Sequence, residues 1–140
     1  MKERIENLKK LYPSIQDVIK ASNVSENEQI LLDYNGTSNR LIGARAFMLL
    51  EMVTELFNTR ADGSKWEADW TNENQRKWFP IFKMQSNTPW GVGFSFSSYG
   101  RWLAVSSCGS RLSFEFEGLS DLSAELYPEV YIDALTKIKK

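Results

Sequence analysis

The sequence predicts an α+β domain: N-terminal helices, a three- to four-stranded antiparallel meander, and a C-terminal helix packed on one face of that sheet. Three observations carry this expectation. Apolar residues recur at helical spacing before residue 60 and again after residue 118, whereas from Arg76 to Glu117 the period becomes two. All five tryptophans (Trp66, Trp70, Trp78, Trp90, Trp102) fall within residues 61–117, while the flanks are rich in Leu, Ile, Met, Glu and Lys. The clusters SNTPWG, SSYG and SCGS separate the alternating runs as hairpin turns would.

The 140 residues read as one domain divided into short N-terminal helices (1–36), a core helix (37–60), an aromatic-rich loop and sheet (61–117) and a C-terminal helix (118–140). Met1, Ile5, Leu8 and Tyr12 mark a first helix over about residues 2–11, stopped by Pro13. Ser14 with Asp17, and Ser25 with Glu28, have capping-box spacing and open two more helices, the second of which is expected to end at Asn35-Gly36 as a left-handed cap. Thr37 or Ser38 opens the longest helix. Its stripe of Ile42, Ala46, Leu49, Val53, Leu56 and Phe57, widened by Leu41, Met48 and Met52, implies burial on more than one side.

Asp62-Gly63 begins a turn, and SKWEADWTNENQ reads as an ordered loop. RKWFPIFKM then alternates, with Pro80 confining it to an edge or a bulged strand. GVGFSFS puts Val92, Phe94 and Phe96 on one face, RWLAVSS puts Leu103 and Val105 on one, and RLSFEFE puts Leu112, Phe114 and Phe116 inward. Ser120 is expected to cap the last helix, which Pro128 should kink or split.

Composition narrows the chemistry. With no histidine, Cys-His and Ser-His-Asp catalysis and imidazole zinc sites have no residues to build them. The single cysteine, Cys108, precludes an internal disulfide and a multi-thiolate metal site; beside Gly109 it reads as a strand-to-strand turn and not as a nucleophile. No metal or cofactor is expected. Seventeen basic and 18 acidic side chains are spread evenly, which disfavours a phosphate-neutralising block. No stretch is apolar enough for a membrane span or a signal-peptide core, so a cytoplasmic protein without a membrane partner is expected.

Three constellations compete for a functional role. Trp66, Trp70 and Trp90 lie in expected loops, where they either seal a small core or present a surface for a protein partner. A polar sheet face of Ser95, Ser97, Ser106, Arg111, Ser113 and Glu115 is either solvated or a shallow site with Arg111 as an anion clamp. DVIKASNVSENEQILLDYNG has the cadence of a helix-turn-helix, yet its second helix carries Glu26, Glu28 and Asp33 with no Lys or Arg, so a helical hairpin on the core fits better. The carboxylate pairs Glu67/Asp69 and Glu115/Glu117 read as solvated decoration.

The motif order adds a resemblance. W-x-x-D-W at Trp66, Asp69 and Trp70, K-W-x-P-x-F from Lys77 to Phe82, G-F-S-F from Gly93 to Phe96, and S-S-x-G-S-R-L-x-F from Ser106 to Phe114 follow one another within residues 40–135. In this the chain is similar to a family of small, functionally uncharacterised proteins of Bacteroides-type gut bacteria, their prophages and phages. It departs at Cys108, where a small aliphatic residue is usual, and at Pro128, which interrupts a helix that is usually continuous. The resemblance implies a mobile-element setting and no mechanism. The expected function is therefore a non-enzymatic protein-interaction domain of a phage or mobile element, a virion component or an inhibitor of host defence. The alternative is a nucleic-acid or nucleotide binder using the loop tryptophans and Arg111; a carboxylate-based enzyme ranks third.

Overall fold

The computed structural model describes residues 1–84, 92–100 and 110–135. In chain order these form α1 (Lys2–Leu11), α2 (Ile15–Ala21), α3 (Glu26–Leu32), α4 (Asn39–Phe57), β1 (Lys77–Met84), β2 (Val92–Gly100), a 3-10 turn (Ser110–Leu112), α5 (Glu117–Leu126) and α6 (Pro128–Leu135). The chain is mostly helical, and the expected α+β class does not hold. Among the described residues, extended structure amounts to β1 and β2 paired as a two-stranded antiparallel ribbon, with no three- to four-stranded antiparallel sheet.

Local chemistry places the helices. Ser14 donates from N and Oγ to Asp17 Oδ2 at the start of α2, and in α3 Ser25 N donates to Glu28 Oε1 while Glu28 N donates to Ser25 Oγ. Ser38 is the N-cap of α4, its Oγ accepting from Leu41 N. The left-handed cap expected at Asn35-Gly36 is absent, since Gly63 is the one described residue with positive φ. Gly36 answers a different demand: a Cβ there would lie 2.4 Å from the Tyr34 hydroxyl, so the Tyr34 ring needs the space. That hydroxyl accepts from Ser38 N at 2.8 Å and ties the α3–α4 connection to the next helix.

α4 is the centre of the core. Ala46, Leu49, Leu50, Met52, Val53 and Phe57 are buried along it, and it packs most extensively on α6, with α2 and α3 beside it. Phe57 is fully buried, with ring centroids 6.2 Å from Phe114 and 6.1 Å from Tyr127. Each such side chain contributes about 1.5–3 kcal/mol by leaving water. Arg4 of α1 donates Nη2 to Phe57 O and Thr59 O, capping the end of α4 with a cation where the helix dipole is negative. Tyr127, between α5 and α6, donates its hydroxyl to Tyr12 O at 2.6 Å. Pro128 splits the C-terminal segment into two helices, whereas Ser120, expected as a cap, is buried inside α5 and Phe116 occupies the N-cap.

The failed strand has an identifiable cause. Phe114 makes a single bridge to Trp78 of β1, donating and accepting one backbone bond. On the other side of the same segment, Asn58 Nδ2 donates to Ser113 O and Asn58 Oδ1 accepts from Glu115 N, at 2.8 and 3.0 Å. A side-chain amide of α4 thus takes the groups another strand would have paired, and α5 starts two residues later. RLSFEFE becomes a 3-10 turn, one bridge and a helix start, leaving Phe116 exposed instead of inward.

SSYG, expected as a turn, continues β2, with Tyr99 opposite Trp78. The register shifts after Ile81, one residue beyond Pro80, so that no β1 residue stands opposite Ser95. Ser97 and Ser113, expected on a polar face, are buried; Ser97 Oγ meets Ser120 Oγ at 2.8 Å and Asp121 Oδ1 at 2.5 Å, joining the ribbon to α5. The strand expected at RWLAVSS, the turns at SNTPWG and SCGS with Cys108, and the side chains of Phe94 and Phe96 lie outside the described residues.

Candidate functional site

The end of α4 reverses sharply. Arg60 N donates to Ser64 O at 2.8 Å, Gly63 takes φ +86°, and Thr59 bridges Lys65. Asp62 Oδ1 accepts from Ser64 N and Oγ, and that hydroxyl bond leads in holding the Asp62 carboxyl below its ordinary range. The returning chain lies back along the helix, where Trp66 N donates to Asn58 O at 3.1 Å.

Between this returning segment and α4 opens a cleft of about 240 Å³. Glu51, Thr54, Glu55 and Asn58 line it from α4 and its cap, Lys65 to Ala68 from the returning chain, and Arg111 from the 3-10 turn. Two residues far apart in sequence, Trp66 and Arg111, therefore share one site. Trp66 is half-buried. Arg111 Nη1 donates to Glu51 Oε1 at 2.7 Å, with the arginine side chain 72% exposed and the glutamate 24%. That bond raises the guanidinium pKa further above its ordinary value, so the cation is permanent. Arg111, expected as an anion clamp, has a carboxylate of its own chain as its near partner.

Trp70 is not brought into the cleft. Its ring lies 5.1 Å from Lys77 Nζ, and Lys77 is fully buried, donating to Asn72 O and Gln75 O at 3.0 and 3.1 Å. Trp70 thus helps to hold a loop around an internal cation. Asp69 accepts from Thr71 N and Oγ1, which lowers its pKa first, with Lys77 adding a smaller effect. Trp90 lies outside the described residues.

The sequence reading missed Glu51, Thr54, Glu55, Asn58 and Lys65. A signal existed for two of them. Glu51 and Glu55 are one turn apart and are the only charged residues between Ala46 and Phe57 of α4, hence on one ridge, and Phe47 stands one turn earlier on that ridge, 40% exposed. Nothing in the sequence pointed to Asn58, 4% exposed, whose bonds join residues 55 and 57 positions away.

Among the described residues, no group of three or more His, Cys, Asp and Glu side chains is arranged to hold a metal ion. No helix among them is long and apolar enough to cross a membrane. No family model matches the chain, and neither a curated protein nor a solved structure matches it.

Proposed function

We propose that the chain is a non-enzymatic protein-binding domain of a phage or other mobile element, acting in the host cytoplasm or within a virion, and that it takes its partner at the Trp66 cleft. The observation that carries this reading is the company Trp66 keeps. A half-buried tryptophan lines a recess rimmed by an internally paired Glu51–Arg111 bridge, and Phe47 stands exposed on the adjoining ridge. Aromatic anchors within a polar rim are the anatomy of a protein interface, where a few large side chains supply most of the affinity. The one hydroxyl among the described lining residues, that of Thr54, donates to Leu50 O and not to a carboxylate, which supports recognition over turnover. The motif resemblance supports the mobile-element setting, in which a virion component and an inhibitor of host defence are both of this kind.

Affinity purification from the cells that encode the chain, with mass spectrometry, tests the proposal. Trp66→Ala should abolish capture of a specific partner with folding intact, whereas Trp70→Ala should lower stability through the Lys77 loop. Capture that survives Trp66→Ala would refute the proposed site.

A further inference from the structure

Two recesses open onto Glu51, Glu55 and Lys65. Beyond the Trp66 cleft, a second one of about 290 Å³ lies between the α2–α3 junction and α4, where Met48, Met52 and Leu56 give it an apolar lining. The pair forms a trough across the α4 ridge. Among the described residues, its titratable lining is Glu28, Glu51, Glu55 and Glu67 against Lys65 and Arg111, four carboxylates and two cations, a net of −2. The whole chain carries −1, so negative charge is concentrated here. Not all of these carboxylates are equally available. Glu51 is paired with Arg111, and Glu28 accepts from Ser25 N. Among the described residues, the Glu55 and Glu67 carboxylates have neither an ion pair nor a hydrogen bond.

We infer that the partner presents a polypeptide segment with an arginine or lysine near an apolar side chain, the cation entering between Trp66 and the Glu55 and Glu67 carboxylates and the apolar group entering the methionine-lined recess. The inference rests on the protein-binding reading above and names the partner's chemistry. A cation facing tryptophan gains from the ring's negative face, and two carboxylates strengthen that attraction. Methionines adapt to whichever apolar side chain arrives. The two recesses adjoin across the Glu51–Glu55 ridge of α4, sharing both residues and Lys65, and about three extended residues, roughly 10 Å of chain, reach from one into the other. A phosphate-bearing ligand would instead meet net negative charge and an arginine already paired.

The test is to pan a displayed library of random peptides on the immobilised full-length protein and to measure the enriched peptides by tryptophan fluorescence. Enriched peptides should carry a basic residue two to four positions from an apolar one. Replacing that residue by citrulline or norleucine should weaken binding about tenfold or more, the size expected when a cation–π contact and its carboxylate partners are lost together. Glu55→Gln with Glu67→Gln should produce the same loss with an unchanged melting temperature. Peptides without a basic residue that still require Trp66 would overturn the cation inference and leave the protein-binding reading standing. Peptides indifferent to Trp66→Ala, or no enrichment at all, would overturn both.

Discussion

Replacing Asn58 with alanine should be among the most damaging polar substitutions in the described chain. Its amide makes two bonds to the segment that leads into α5, and the residue is buried. Loss of the bond to Ser113 O removes about 0.5–1.5 kcal/mol, and leaving Glu115 N unpaired in a half-buried position costs about 1–3 kcal/mol. Together these give about 2–4 kcal/mol, a large part of the roughly 5–15 kcal/mol that holds a domain folded. Urea denaturation followed by tryptophan fluorescence reads this directly. With a slope near 2 kcal/mol per molar, the midpoint should fall by about 1–2 M. Asn58→Asp should fare no better, because its carboxylate faces Ser113 O, an acceptor like itself. Asn39→Ala, at the exposed first turn of α4, should change stability by less than about 0.5 kcal/mol. An Asn58→Ala midpoint within 0.2 M of the parent would show that this amide does not join α4 to the entry of α5.

Other substitutions follow from the same geometry. Gly43→Ala should stabilise α4 by about 0.5–1 kcal/mol in denaturation, since the new Cβ would sit 3.7 Å from Asp133 O, an ordinary contact, and glycine is a poor helix former. Arg4→Ala should lower stability by about 1–3 kcal/mol by uncapping the Phe57 and Thr59 carbonyls. Acid should destabilise the fold along a defined course. The Ser14, Ser64 and Thr71 hydroxyls lead in lowering Asp17, Asp62 and Asp69 below 3.8, and Ser25 N–H does so for Glu28 below 4.5. The unfolded chain therefore takes up protons first; this stabilisation is complete above about pH 5 and is lost as pH falls through the lowered folded values. Chemical denaturation from pH 5 to 2 should show that slope, and Asp62→Asn with Asp69→Asn should flatten it. Alkali acts in the opposite sense on Tyr127. Burial raises its pKa above the ordinary 10.0, so stability holds below that pH and declines above it as the unfolded chain ionises first.

The helices were legible because their determinants are local. Pro13, the capping pairs of Ser14 with Asp17 and Ser25 with Glu28, Ser38 and Pro128 act within a few residues of themselves, and the structure has helix ends at each. The sheet was not legible, because alternation reports only that a segment is extended. Phe114 is buried as its alternation required, yet the strand around it is limited to one bridge by Asn58, whose partners no periodicity reveals. The polarity of Ser97 and Ser113 points to an open sheet face, solvated or a shallow site, but hydroxyls are readily buried once bonded, as Ser97 is to α5. Of the site, Trp66 and Arg111 could be singled out as large or charged groups in a loop region. Their meeting could not be foreseen: the turn at Gly63 and the Arg111–Glu51 pair join positions 60 residues apart in sequence. Trp70 looked like Trp66 in sequence and differs only because Lys77 lies against its ring.

The most direct test of the proposed interface is a photocrosslink from its middle. Lys65 lines both recesses and its ammonium group makes no ion pair among the described residues, so Lys65→p-benzoylphenylalanine places the reactive group in the trough. Illumination in the cells that encode the chain should give one discrete polypeptide adduct, absent when the same group replaces Glu125 on α5 and lost on adding Trp66→Ala. Equal adducts from both positions, or an adduct that ignores Trp66, would contradict the assignment of this cleft as the binding surface.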